Sequence, residues 1–347
     1  MSLFRAKEWW FTNLGGPDCD TDGKLVCSAR LFGLDNPREQ LIAGSHSGLM
    51  WILDPGFGAE GESGPLKSGQ NPYKADHLLL EQQLDYGIVQ LKAGRFVSGA
   101  QQHQIAVLHP RQLAVYAFQT TEAADQTHGS QYALKRLYQH LLQRTAYNMT
   151  AGGFGSVTDR DYLCVQSLDG TISIFEQETF AFSRFLPSSL LPGPIAYVPM
   201  ADSFVTLASS WQLESYKYQT LAVAAESKSK EEAANMTTGK KVVPDWTYQL
   251  GENAIAVEVI EISPAQPSIL VLGERNIFCF TEGGTMRFIK KLDYNPLCLL
   301  AYSSTSEGYL QYMVGSDTNT VMLYSDTILY WTAQVAYAPV GLLRAQF

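Results

Sequence analysis

One unit returns six times along the 347 residues: an apolar strand, a tight turn of small or polar residues, and a second apolar strand. The copies fall at 41–52, 105–116, 163–175, 204–216, 269–280 and 310–324. Each reads as a β-hairpin whose strands are apolar almost throughout, which is the signature of strands covered on both faces. Between hairpins lie two further strand candidates, as at 78–84 and 88–93, and again at 287–292 and 297–302. Four strands per unit, at a period of about 40–65 residues, describe the blades of a β-propeller. The physical cause is that a single blade cannot bury both of its apolar faces alone. The 18 Tyr and 16 Phe fit strands better than helices.

The predicted fold is therefore all-β, a seven-bladed β-propeller whose last blade is incomplete in this chain. Six units are complete, and residues 339–347 read as the inner strand of a seventh. Residues 8–14 hold the place of an outer strand, so residues 1–14 are expected to close the ring by completing that blade. A six-bladed ring is the competing count. The one helical candidate, 132–142, also reads as an outer strand over 134–143. Two stretches, 55–74 and 224–241, are rich in Gly, Pro, Ser or charge and are expected to be flexible loops. Both fall between the third and fourth strands of their blades.

Charge narrows the function classes. Charged residues make up 17% and the formal net charge is -9. No basic footprint for nucleic acid is present, and a negative chain gains nothing from anionic lipid. No run of 18 apolar residues suggests a transmembrane segment. Arg5, Lys7 and Glu8 precede no apolar stretch of the kind a signal peptide needs. Cys19, Cys27, Cys164, Cys279 and Cys298 form no CxxC pair, and the last three sit in apolar runs. Reduced, buried thiols in a cytosolic protein are the expectation. In that compartment the sequons at Asn148 and Asn235 carry no meaning.

Several stretches resemble chemistry without completing it. Asp18, Asp20, Asp22 and Gly23 open like a calcium loop, but Ala29 stands where a bidentate Glu is needed. His46, His77, His103, His109, His128 and His140 form no metal-binding pair, and His46 and His109 occupy equivalent hairpin turns. Gly152, Gly153 and Gly155 lead into Val157 rather than into a phosphate-binding helix. Ser167 and Asp169 share a hairpin turn with no histidine beside them. Trp9, Trp10, Trp211, Trp246 and Trp331 are candidates for the core or for partner anchors. No catalytic, cofactor-binding or metal-ligating residue is nominated, no cofactor is expected, and the chain is read as a non-enzyme.

Longer strings carry a family resemblance. Residues 2–10, 142–150, 175–178, 184–187, 191–194, 214–219, 272–276 and 290–294 together resemble the N-terminal region of the Bardet–Biedl syndrome protein nine family. The resemblance runs over essentially the whole chain. It implies a seven-bladed propeller followed by C-terminal domains that this chain lacks. It implies a scaffold subunit of the BBSome, the coat that moves membrane proteins to and from cilia, and so supports ciliogenesis. The implied partners are the other BBSome subunits and, indirectly, an Arf-like small GTPase, ciliary membrane cargo and intraflagellar transport trains. The implied locations are cytoplasm, cilium and ciliary membrane, basal body and centriolar satellites. The family has no catalytic residues to carry over. The alternatives are an interaction propeller in some other complex, or a propeller hydrolase or lyase. Far-UV circular dichroism should show strand-dominated structure, and a helix content near a third (~30%, the average of globular domains) would overturn the fold.

Overall fold

The computed structural model describes residues 3–5, 8–16, 19–57, 72–121, 131–223, 242–262, 266–303 and 310–347. The chain divides into two compact units. The first comprises Ala6–Leu142 with Leu343–Phe347, and the second Gln143–Leu342 with Met1–Arg5.

The first unit carries two four-stranded sheets. One runs β2 (Val26–Ala29), β3 (Gln40–Gly44), β4 (Leu49–Leu53) and β5 (Leu78–Gln83). The other runs β6 (Gln90–Gly94), β7 (Gln104–His109), β8 (Gln112–Thr121) and β9 (Gln131–Leu141). The second unit carries four sheets in the same meander order. They are β10 (Ala146–Gly152) to β13 (Thr179–Phe185) through β11 (Tyr162–Ser167) and β12 (Thr171–Glu176), then β14 (Ile195–Val198), β15 (Ser203–Leu207), β16 (Gln212–Lys217) and β17 (Trp246–Gln249). Next come β18 (Ala254–Ile262), β19 (Gln266–Gly273), β20 (Asn276–Thr281) and β21 (Met286–Lys291), and finally β22 (Pro296–Ser303), β23 (Leu310–Ser316), β24 (Thr320–Ser325) and β25 (Ile328–Gln334). To this last sheet β1 (Leu3–Arg5) adds a fifth strand.

The burial gradient explains the sequence pattern. Every residue of β7, β11 and β15 is buried, whereas β9, β17 and β21 alternate between exposed and half-buried. Inside the first unit, Ile42, Met50 and Ile52 pack with Ile105, Val107 and Ala114 of the next sheet. Inside the second, Ile172 and Ile174 meet Phe204 and Tyr216, Val205 and Leu213 meet Ile269 and Val271, and Leu270 and Ile277 meet Tyr312 and Met322. Middle strands touch apolar neighbours on both faces, so their apolar runs are unbroken; outer strands show one face to water and alternate.

A main-chain latch recurs in all six sheets. The first residue after each outer strand donates its N–H to the carbonyl at the end of that sheet's hairpin turn. The pairs are Leu84 to Gly48, Leu142 to Arg111, Leu186 to Gly170, Leu250 to Trp211, Leu292 to Arg275 and Val335 to Asn319, at 2.8–3.0 Å. All five leucines are buried. Four acceptor residues, Gly48, Gly170, Trp211 and Asn319, have positive φ. At Gly170 the geometry admits nothing larger: φ is 81°, and a Cβ there would sit 2.6 Å from the Ser189 carbonyl oxygen and 3.0 Å from that of Leu186. A second recurring feature is a bulge in the pairing of third and fourth strands, seen in five of the six sheets.

Two expectations meet corrections. Residues 8–14 form no strand; the N-terminal strand is Leu3–Arg5, and it pairs parallel to β25 rather than as an ordinary outer strand. Residues 339–347 form no strand either. Instead, in the first unit, Glu39 donates its N–H to the Gln346 carbonyl at 2.6 Å, Gln346 N–H donates to the Glu39 carboxylate at 3.2 Å, and Trp9 stacks on Phe347. The outer-strand reading of 134–143 holds, as β9. Of the two expected loops, 58–71 and all of 224–241 lie outside the described residues; both do fall between third and fourth strands.

Gly170→Val should lower stability by about 3 kcal/mol, the upper range for a strained backbone combined with steric overlap. Chemical denaturation reads this directly, and an unchanged midpoint would show that the latch tolerates a side chain.

Candidate interaction surface

The residues with chemical potential are absorbed into the fold one by one. His46 and His109 grip the same link, between β5 and β6: their Nδ1 atoms lie 3.0 Å from the Ile88 carbonyl oxygen and 2.9 Å from that of Gly87. Burial pushes the His109 ring below its ordinary range, favouring the neutral form. His77 Nδ1 accepts from the Trp10 indole at 2.9 Å and from Lys74 N–H at 3.3 Å. Burial likewise lowers His77, with the Lys74 charge next. His103 Nδ1 accepts the Arg30 N–H, and His140 lies edge-on to Tyr138. His128 lies outside the described residues.

Asp22 accepts from Lys24 N–H at 2.7 Å and caps the short 3-10 turn Gly23–Leu25. Asp20 offers its main-chain carbonyl to His46 N–H, while Asp18 lies outside the described residues. Asp169 accepts from Thr171 N–H and lies 3.2 Å from the Arg144 guanidinium. Gly152 and Gly153 make room for Tyr197 and for the Val157 carbonyl, and Phe154 between them and Gly155 is fully buried among Tyr162, Tyr197 and Phe204. Burial pushes the thiols of Cys27 up to about 12 and of Cys279 and Cys298 up to about 11; Cys164 moves the same way. These thiols are packing groups rather than nucleophiles.

What remains is a surface at the turn end of the second unit. Leu168 sits in the β11–β12 turn, Leu190 and Leu191 in the β13–β14 link, and Trp211 in the β15–β16 turn. They are 50%, 58%, 75% and 51% exposed. Main-chain bonds hold these three segments together. Leu186 N–H reaches Gly170, Ser189 N–H reaches Leu186, and Ser209 N–H reaches Ser188. Leu191 N–H then donates to the Ser209 hydroxyl at 2.8 Å. Beneath them the buried Glu214 carboxylate accepts from Ser188 Oγ and Tyr216 OH, both at 2.6 Å. Burial, then the bond to Glu214, drives the Tyr216 hydroxyl well above its usual range, so it stays a donor.

Trp211 is the unusual member. Its φ of 61° places a bulky side chain in the left-handed region, at the turn position that Gly48 and Gly170 fill elsewhere. That conformation costs about 1–2 kcal/mol for an L-residue. Its indole nonetheless points half into solvent. Backbone strain held at an exposed aromatic is a mark of a functional rather than a packing role. The other tryptophans serve the interior: Trp10 binds His77, Trp246 Nε1 donates to the Glu282 carbonyl, and Trp331 lies half-buried in β25. Sequence reasoning named Trp211 but missed Leu168, Leu190 and Leu191. The available signal was the adjacent leucine pair between Pro187 and Pro192, too polar a setting for a strand and too apolar for an ordinary link.

Comparison with known proteins now places the chain. The profile of the family described as PTHB1 N-terminal matches residues 1–347. Protein PTHB1 of Xenopus laevis is 45% identical over 349 residues, covering 100% of this chain and 40% of that protein. Protein PTHB1 of Mus musculus is 43% identical, covering 99% of this chain and 38% of its own length. A Caenorhabditis elegans homologue is 26% identical, with 100% and 41% coverage. The chain thus spans about two fifths of the curated relatives it matches. Among solved structures, BBS1N in complex with ARL6DN, soaked with lead, aligns with a TM-score of 0.65 at 10% identity, covering 99% of this chain and 91% of that one. The mercury-soaked crystal gives 0.61 at 11% identity, with 97% and 89% coverage. At that identity the likeness shows the fold alone, the all-β arrangement of the BBS1N propeller structures. On the match over its whole length, the chain belongs to the PTHB1 N-terminal family.

Proposed function

We propose that this chain is the N-terminal β-propeller of a non-catalytic scaffold subunit of the BBSome, acting through protein–protein contacts in ciliary membrane-protein traffic. The observation that carries the reading is the family match across residues 1–347, with PTHB1 proteins of two vertebrates at 43–45% identity. The use of the histidines, thiols and turn carboxylates as packing and capping groups agrees with a scaffold. The direct partners are the other subunits of the coat. The solved relative BBS1N is crystallised with ARL6DN, which supports counting an Arf-like GTPase among the partners of the assembly, reached here through another subunit. Membrane cargo and intraflagellar transport trains follow at one further remove. The locations that go with this are the cytoplasm, the cilium and its membrane, the basal body and centriolar satellites. In this reading the six sheets are six blades of a propeller, and a seventh is expected from the family resemblance alone, since residues 339–347 form no strand.

The turn-end surface of Leu168, Leu190, Leu191 and Trp211 is the part of the described chain best suited to meet a partner subunit. Exposed aromatic and aliphatic anchors on a rigid scaffold are the usual source of binding energy. Affinity purification of the tagged full-length protein from ciliated cells, followed by mass spectrometry, should recover the other coat subunits in near-equal amounts; recovery of none would overturn the assignment. In the same experiment Trp211→Asn with Leu191→Ser should reduce recovery of at least one subunit. Asparagine tolerates positive φ, as Asn319 shows at the matching position, so the thermal midpoint should hold or rise. Full recovery with the double variant would remove this surface from the interface.

A further inference from the structure

The outer strand of the last sheet differs from its five counterparts in two independent ways. It alone carries a fifth strand, and that pair is the only parallel one among the described residues; every other strand pair is antiparallel. It is also the one long outer strand without a charge. Charges interrupt the others: Glu81 in β5, Lys135 and Arg136 in β9, and Arg287, Lys290 and Lys291 in β21, while Arg184 of β13 is buried and donates to the Leu221 carbonyl. The uncharged β17 is only 4 residues long, whereas β25 runs for 7 residues as Ile-Leu-Tyr-Trp-Thr-Ala-Gln. Charges on edge strands are what ordinarily keeps an open row of N–H and C=O groups from pairing with another chain. β25 lacks that guard, and a strand is seated on it.

Among the described residues the seat is only partly filled. Leu3, Phe4 and Arg5 align with Thr332, Ala333 and Gln334. No described strand pairs with Ile328–Trp331 on that edge, and Ile328 and Tyr330 are 68% and 69% exposed. Because the pairing is parallel, a longer strand in this seat would extend upstream of the Leu3 position and run past Trp331, Tyr330 and Ile328. We propose that the outer edge of β25 is a strand-accepting site, which β1 occupies as an internal stand-in. In exchange for β1 it takes an extended, apolar peptide segment of a partner protein, parallel to β25 and long enough to cover Ile328 and Tyr330. Main-chain hydrogen bonds supply the affinity of such an addition, and alternate side chains supply its selectivity. The inference does not depend on which complex the chain serves.

The test is fluorescence anisotropy with a labelled peptide, Val-Thr-Val-Thr-Leu-Phe-Arg. Its last three residues copy β1, and its first four would lie along Ile328–Trp331. Phe4→Pro removes a strand N–H and should release β1. If β1 leaves the edge open about a tenth of the time or less, the peptide should bind the Phe4→Pro chain at least about tenfold more tightly than the unmodified chain. Adding Ile328→Lys and Tyr330→Lys should abolish that binding, because they install the missing edge charges. Equal affinity for the unmodified and Phe4→Pro chains, or binding indifferent to the lysines, would overturn the proposal. Hydrogen exchange on the unmodified chain guards against misfolding of the variant. Saturating peptide should slow exchange in 328–331, and no slowing there would count against the site. A dimer of the unmodified chain that dissociates on Phe4→Pro would show that a second copy, not a heterologous segment, is the occupant, and would overturn the proposal in that form.

Discussion

The hydrogen bond from the first residue after an outer strand to the hairpin-turn carbonyl is the constraint on which the rest of each sheet depends. It ties the exposed end of the sheet back to its middle. In five of the six sheets it also drops a leucine into the core at the point where the chain leaves for the next sheet. Such a bond contributes only about 1 kcal/mol net, but an unmade one in a buried setting costs more. The latch therefore fixes where an outer strand stops and from what position the next inner strand starts. Leu84, Leu142, Leu186, Leu250 and Leu292 are all buried, and their N–H groups are all spent in this way.

The surface features follow from that arrangement. The β13–β14 link is latched at Leu186 and bonded again at Ser188, Ser189 and Leu191, so Leu190 and Leu191 are presented by a braced segment rather than a loose one. Ser188 also leans on Glu214, whose Oε2 accepts from both the Ser188 and the Tyr216 hydroxyl. A buried carboxylate without a cation is tolerable only when its oxygens are well donated to. The same network braces the apolar ledge above it.

How much of this the amino-acid sequence discloses depends on the range of the interaction. The hairpins were legible because both faces of a middle strand are covered, which removes polar residues from runs such as 105–108 and 269–272. Gly48 and Gly170 were legible because a positive φ selects glycine. Trp211 and Asn319 take the same position without that signal, since strain at one residue is offset by packing that no local pattern records. β1 was not legible: three residues pairing in parallel with a strand more than 300 positions away leave no local periodicity. Residues 339–347 misled for the opposite reason. Their apolar content resembles a strand, yet 343–347 lie beside Glu39 and Trp9 through two main-chain donors and a ring stack. The equivalent turn positions of His46 and His109 were legible, though their shared target could be seen only in three dimensions.

The latch acceptor is a peptide carbonyl, and this has a bearing on how such a chain can change over time. Gly48, Arg111, Gly170, Trp211, Arg275 and Asn319 all perform the same duty. Where the backbone conformation and the surrounding space allow it, the side chain at that position is spare. A tip with that room can then carry a cation, an amide or an indole while the architecture beneath stays as it was, whereas at Gly48 and Gly170 a Cβ would meet a carbonyl oxygen at 2.7 and 2.6 Å. Such tips become separately editable addresses, and new contacts can be acquired at one without renegotiating the others.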